Sequence, residues 1–184
     1  MVSSKELLFF SLRQVGMVEE GLWRAARRTR RRSTCLKTQT AAVIVKHGRI
    51  IARHANICAP EGVVFGEMVP RCPRISVTTG AHYELCRSVH AEVAAALSVR
   101  KNRSAEDYAH FAAYLAPTVE EIRGAFTEEE LDLLSGATLY LAGHYFACEH
   151  CVRFLEAVGI TDIRFDPRSS TETKLRYERS HLDS

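Results

Sequence analysis

Two short clusters carry the chemistry of this 184-residue chain: His90-Ala91-Glu92 and Cys148-Glu149-His150-Cys151. Each falls where a helix is expected to begin. Cys-x-x-Cys at a helix start puts two sulfurs on one face, about one turn apart. The unpaired N–H groups and the helix dipole there favour thiolates, the form that binds zinc. His90 also falls at a helix start, so two facing N-termini supply one nitrogen and two sulfurs. Three protein ligands leave a fourth tetrahedral position for water, the mark of a catalytic rather than a structural zinc site. A lone Cys-x-x-Cys is more often half of a structural site or a redox pair, and a lone His-x-Glu is close to noise. Their conjunction, in this order, is what specifies the metal.

Glu92 sits two residues past His90, close enough to reach a metal-bound water without ligating the metal. Zinc brings the pKa of such a water toward about 7. The resulting hydroxide attacks a ring carbon that bears an amine. A carboxyl group then carries a proton to the ring nitrogen and onward to the leaving ammonia. His-x-Glu followed by Pro-Cys-x-x-Cys is the signature of zinc nucleobase deaminases; here Ala147 stands in the proline's place. The competing class is a zinc scaffold without turnover, against which the presence of Glu92 argues.

The elements that must position these groups read as follows. Ser3 with Glu6 has capping-box spacing, and Leu7, Leu8, Leu12 and Val15 follow at helical intervals. Gly16 is expected to interrupt, with a second helix from Val18 to a very basic end at Arg31. Ala41–Val45 and Arg49–Ala52 read as strands joined by a Lys46-His47-Gly48 turn. Asn56 to Thr79 reads as a long loop and Val89–Arg100 as a helix. Three capping pairs, Ser104/Asp107, Thr118/Glu121 and Thr127/Glu130, predict short helices up to Leu134. Ala137–Leu141 reads as a strand, Cys148–Val158 as a helix stopped by Gly159, and Ile160–Phe165 as a strand. Strand–helix–strand at the end implies parallel pairing by a right-handed crossover. The hairpin adds antiparallel strands, giving a mixed sheet with helices packed on it.

Hydrophobic residues make up 46% of the chain and charged residues 26%, an ordinary globular mix. Met1–Phe10 carries acid and serine rather than a signal-peptide pattern. No apolar stretch approaches the roughly 20 residues that span a bilayer. These features suggest an intracellular, cytoplasmic protein without a membrane partner, whose six cysteines serve as thiols or ligands.

Around the metal motifs the sequence resembles the deoxycytidylate (dCMP) deaminase family of the cytidine deaminase superfamily. Arg31-Arg32-Ser33-Thr34-Cys35-Leu36, Ala42–Val45 with Gly48–Ile51, Glu84–Arg87 leading into Val89–Glu92, Gly136–Tyr140 and Ala157–Ile160 carry the likeness, which spans about residues 23–165. It implies an α/β fold with three layers, α/β/α, around a five-stranded mixed sheet. One deaminase domain would fill 1–184, with N-terminal helices over 1–34, a helical insertion over 104–135 and a polar tail over 167–184. It implies homo-oligomers, a small nucleotide substrate, dCMP foremost, and a sugar contact from Asn56. The departures fall on the substrate side. His54-Ala55-Asn56-Ile57 replaces Gly-Tyr-Asn-Gly, and the stretch 141–147, with His144, Tyr145 and Phe146, is about two residues longer than usual.

The substrate-binding candidates are therefore Asn56, Ala91, His144 and Tyr145, with the aromatics suited to stacking on a base. Cys35, Cys72, His82 and Cys86 lie near a second, structural zinc position of some relatives, with Cys58 as a spare; buried free thiols are the alternative. Arg24, Arg27, Arg28, Arg30, Arg31 and Arg32 form a basic run that fits a solvated helix face or an oligomer contact, with a substrate phosphate or nucleic acid as the alternatives. Arg74 is a weaker phosphate candidate. A net charge of +3 does not favour a general nucleic-acid binder. The functional expectation is a cytosine-nucleotide deaminase. Deamination of another aminated heterocycle or nucleoside-like metabolite, and of tRNA or single-stranded nucleic acid, are the alternatives within enzymes.

Overall fold

Five consecutive buried residues, Ala41 to Val45, set the architecture. They open strand β1 (Ala41–Lys46), and a strand buried on both faces needs a layer on each side. The computed structural model supplies both. It describes residues 4–58, 72–77, 82–102, 108, 110–112, 115–169 and 171–172, and of residues 4–16 and 83 the backbone alone.

β1 pairs antiparallel with β2 (Arg49–Ala55) through the two-residue turn His47–Gly48. On its other side it pairs antiparallel with β5 (Thr138–Ala142), which pairs in parallel with β6 (Asp162–Phe165). The sheet order is β2-β1-β5-β6. Val43, Val45, Tyr140 and Ala142 face helix α1 (Ser4–Arg30), whose Leu22, Trp23, Ala25 and Ala26 are buried on them. Ala42, Ile44, Leu139 and Leu141 face the opposite layer, built from α2 (Ala91–Leu97) and α5 (Glu149–Ala157). The expected three-layer α/β/α arrangement is present, as is the parallel β5-α5-β6 crossover.

Among the described residues the sheet has four strands, not five. Asn56 ends β2 by donating its backbone N–H to Thr40 O at 3.1 Å, and the chain leaves the sheet. The next two residues, β3 (Ile57–Cys58), pair antiparallel with β4 (Ser88–Val89) as a separate ribbon. The expected break at Gly16 is also absent: α1 runs unbroken for 27 residues. A helix-interior glycine costs about 1 kcal/mol, less than the burial of the α1 face that follows it. The Ser104/Asp107 pair and the sequence 59–71 lie outside the described residues, as does Ser3. Of the stretch expected as a long loop, Ile57–Cys58 is strand and residues 72–77 form turns.

Before β5 lie α3 (Val119–Gly124) and α4 (Glu128–Leu134). Both start at the reciprocal capping boxes expected of Thr118/Glu121 and Thr127/Glu130. α2 is alanine-rich and all seven of its residues are buried; small side chains let it lie close on β1 and β2. α5 ends as the sequence implies. Gly159 takes φ +81°, Ile160 N donates to Leu155 O at 2.9 Å and Gly159 N to Glu156 O at 3.0 Å, the paired bonds of a Schellman stop. Beyond β6 the chain is helical at 167–169 and 171–172. Among the described residues no helix is long and apolar enough to cross a membrane.

Candidate active site

α2 and α5 present their N-termini to one point. His90 is the N-cap residue of α2 and Cys148 that of α5, both in extended backbone and neither capping with its side chain. Their side chains are spent on each other. His90 Nδ1 lies 3.3 Å from both Cys148 Sγ and Cys151 Sγ, and the two sulfurs are 3.5 Å apart. Tetrahedral zinc with Zn–N about 2.0 Å and Zn–S about 2.3 Å has ligand edges of about 3.5 to 3.8 Å. One imidazole nitrogen and two thiols at this spacing fit zinc. Among the described residues this is the one group of three ligand atoms that converges within 4.8 Å.

The three groups act strongly on one another's charge. A hydrogen bond from Cys151, aided by His90, lowers the Cys148 thiol to about 3. Burial, then Cys148 and Glu92, push Cys151 up. Burial opposes charge on His90, but its bonds to Cys148 and Cys86 raise it well above the ordinary imidazole value. Glu92, in the first turn of α2, is 5% exposed, and burial raises its carboxyl above the usual range. It is not one of the three converging ligands, and it lines the cleft beside them.

His90 has a further partner. Cys86 Sγ lies 3.7 Å from Nε2, the ring nitrogen that faces away from the other sulfurs. An outer partner of this kind fixes the ring orientation of a metal-ligating histidine. Arg74 hydrogen-bonds Cys86 in turn.

A family model, the cytidine and deoxycytidylate deaminase zinc-binding region, matches residues 18–166. The chain belongs to this family. No curated protein and no solved structure matches it. As a member it is a zinc-dependent hydrolytic deaminase, and the group His90, Cys148 and Cys151 fits a catalytic zinc site.

The deaminase's cleft, about 700 Å³ with its open mouth, lies over these residues. Its wall includes Glu92, His90, Asn56, His144 and Phe146. Asn56 is 5% exposed and mostly occupied. Its Oδ1 accepts from Ser33 Oγ at 2.6 Å and from Thr40 N at 2.9 Å, and its Nδ2 donates to Thr38 O at 2.7 Å. The amide thus pins the wall segment 33–40 through three hydrogen bonds. His144 is stacked on Tyr145 at 5.6 Å and 8°, and Phe146 meets its ring edge-on at 4.2 Å. Tyr145 stands half-exposed beyond the His144 ring. Ala91 is fully buried at the first position of α2.

Cys35, Cys72 and Cys86 share the cleft wall. His82 is exposed and bonds Glu84 at 2.8 Å. Cys58 lies 3.4 Å from Ser88 Oγ, and its thiol, donating to Cys35, lowers the latter to about 5. Within the basic run, Arg27 pairs with Asp166 and Glu20, and Arg30 pairs with Glu172. Arg24, Arg28, Arg31 and Arg32 are exposed. Lys37, Thr38 and Thr40 also line the cleft, and sequence reasoning missed them. Their nearness in the chain to Cys35 was the one signal that pointed there.

Proposed function

We propose that this deaminase acts on a cytosine nucleotide, dCMP foremost, giving the uracil product and ammonia. The observation that carries the nucleotide reading is the charge of the cleft. Lys37 and Arg74 line the same wall set as His90 and Glu92, and Glu92 is the one acid among the lining residues described. Lys37 Nζ donates to Arg74 O at 2.7 Å and to Val77 O, which fixes its position and leaves one N–H. Burial, then the charge of Arg74, lower its ammonium. Two neighbouring cations in a cleft favour an anionic substrate such as a phosphate monoester.

His90, Cys148 and Cys151 would hold the zinc, which when bound supplies the Lewis acidity that makes water a nucleophile near neutral pH. Glu92 accepts a proton from the attacking water, passes one to the ring nitrogen beside the aminated carbon, and protonates the departing amine. The C–N bond breaks, a C–O bond forms, and the sum is cytosine nucleotide plus water giving uracil nucleotide plus ammonia. Burial raises the Glu92 carboxyl above the usual range, the direction that suits a group that both takes and gives a proton. His144 and Phe146 offer aromatic faces to the base.

The test is an ammonia-release screen over cytosine, deoxycytidine, dCMP and dCTP and their adenine counterparts. dCMP is expected to turn over fastest. Equal turnover of deoxycytidine removes the phosphate part of the proposal, and no release from any cytosine compound removes all of it. Zinc per chain addresses the second metal. Two equivalents would mean that Cys35, Cys72 and Cys86 close on an ion with His82, which must leave Glu84, or with Cys58.

A further inference from the structure

The segment after β6 reaches back to the loop that carries the cleft's aromatic wall. Asp166 is 3% exposed and accepts Arg27 Nε at 2.7 Å and Nη2 at 3.0 Å. Its backbone N–H donates to Leu141 O at 2.9 Å, and Ser169 N donates to its carbonyl at 2.8 Å. The tight turn so formed buries Ser169, 1% exposed, with its Oγ accepting the N–H of Gly143 at 2.8 Å.

Gly143 is held from the other side too. A Cβ there would sit 2.4 Å from Gln39 O and 2.9 Å from Arg30 Nε. Arg30 Nε donates to that same Gln39 O at 2.9 Å, and its Nη1 pairs with Glu172 at 2.6 Å. The peptide at Gly143 is therefore clasped between the end of α1 and the C-terminal turn. The next residues are His144 and Phe146, which line the cleft, and then the ligand Cys148.

We propose that Ser169 is a positioning residue for substrate binding: its hydroxyl, on the Gly143 amide, sets where His144 and Phe146 stand in the cleft. The zinc ligands are anchored separately by α2 and α5. Loss of this bond releases the aromatic wall and leaves the metal centre in place. The inference rests on the deaminase reading for its kinetic arm alone.

The experiment uses the full-length, zinc-loaded protein and its Ser169→Ala variant. Amide hydrogen exchange over residues 143–147 should speed up about tenfold, the size of one buried hydrogen bond, with residues 149–157 unchanged. With dCMP as substrate, KM should rise about tenfold, with kcat and zinc content within twofold. Ser169→Thr, which keeps the hydroxyl, should recover most of both effects. Unchanged exchange at 143–147, a rise spread evenly over the chain, or an equal loss of kcat and zinc would overturn the proposal. Should the parent turn over no cytosine compound, the function fails and the exchange arm still decides the clasp.

Discussion

His90 Nδ1 and Cys148 Sγ lie 3.3 Å apart although 58 residues separate them in the chain. The contact joins the start of α2 to the start of α5, so a metal bound there ties two helices on one face of the sheet. Removing zinc should lower stability through mass action alone. At free zinc a hundredfold above its dissociation constant, the linkage is about 2.7 kcal/mol, or about 5–10 °C in Tm for a chain of this size. Calorimetry before and after chelation measures it. Cys148→Ser should weaken zinc binding at least tenfold, read by competition with a chromophoric chelator.

Lys37 distinguishes a nucleotide from a nucleoside in this account. Its Nζ is held on carbonyls of the turn at 72–77, so Lys37→Gln keeps a donor for that turn but removes the charge. A charge-assisted hydrogen bond contributes about 1.5–3 kcal/mol. kcat/KM for dCMP should therefore fall about tenfold to a hundredfold, with deoxycytidine affected less than threefold. Equal losses on both would assign Lys37 to the scaffold.

Gly143 takes φ +90° and has no room for a Cβ against Gln39 O. Gly143→Ala must both strain the backbone and push the wall segment away. A cost of about 2 kcal/mol or more is expected from the backbone region and the overlap together. A urea titration checks it, and a change under about 0.5 kcal/mol would mean that the peptide can rotate freely.

Asp166 gives a pH signature. Burial raises its carboxyl, but Arg27 and the Arg168 N–H outweigh this and hold it below the usual 3.8. A carboxyl depressed on folding contributes stability that is complete above its unfolded pKa and lost as pH falls through the folded value. Asp166→Asn should cost about 1–3 kcal/mol at pH 7. The gap between variant and parent should narrow only below about pH 4, measured as urea midpoints across that range.

The metal centre was legible in the sequence because its residues act locally. His90 and Cys148 each open a helix, and N-capping positions follow from short-range spacing. The capping boxes at Thr118 and Thr127 and the stop at Gly159 were legible for the same reason. The separate β3–β4 ribbon was not, since it depends on where Asn56 sends its amide, and three of its bonds go to a segment 16 to 23 residues earlier. Gly16 misled because intrinsic propensity lost to the burial of α1 on Val43 and Tyr140. The C-terminal turn was hidden in a polar tail. Asp166-Pro167 does carry a helix-start pattern, but the Arg27 bond spans 139 residues, and nothing in the sequence pairs Ser169 with Gly143.

The most direct measurement compares zinc content and ammonia release for the parent and Glu92→Gln, with dCMP as substrate. One catalytic zinc should be retained in both, with release falling by about a hundredfold or more in the variant. A variant that keeps the parent's rate would contradict the proton-transfer role of Glu92, and a parent without zinc would contradict the centre formed by His90, Cys148 and Cys151.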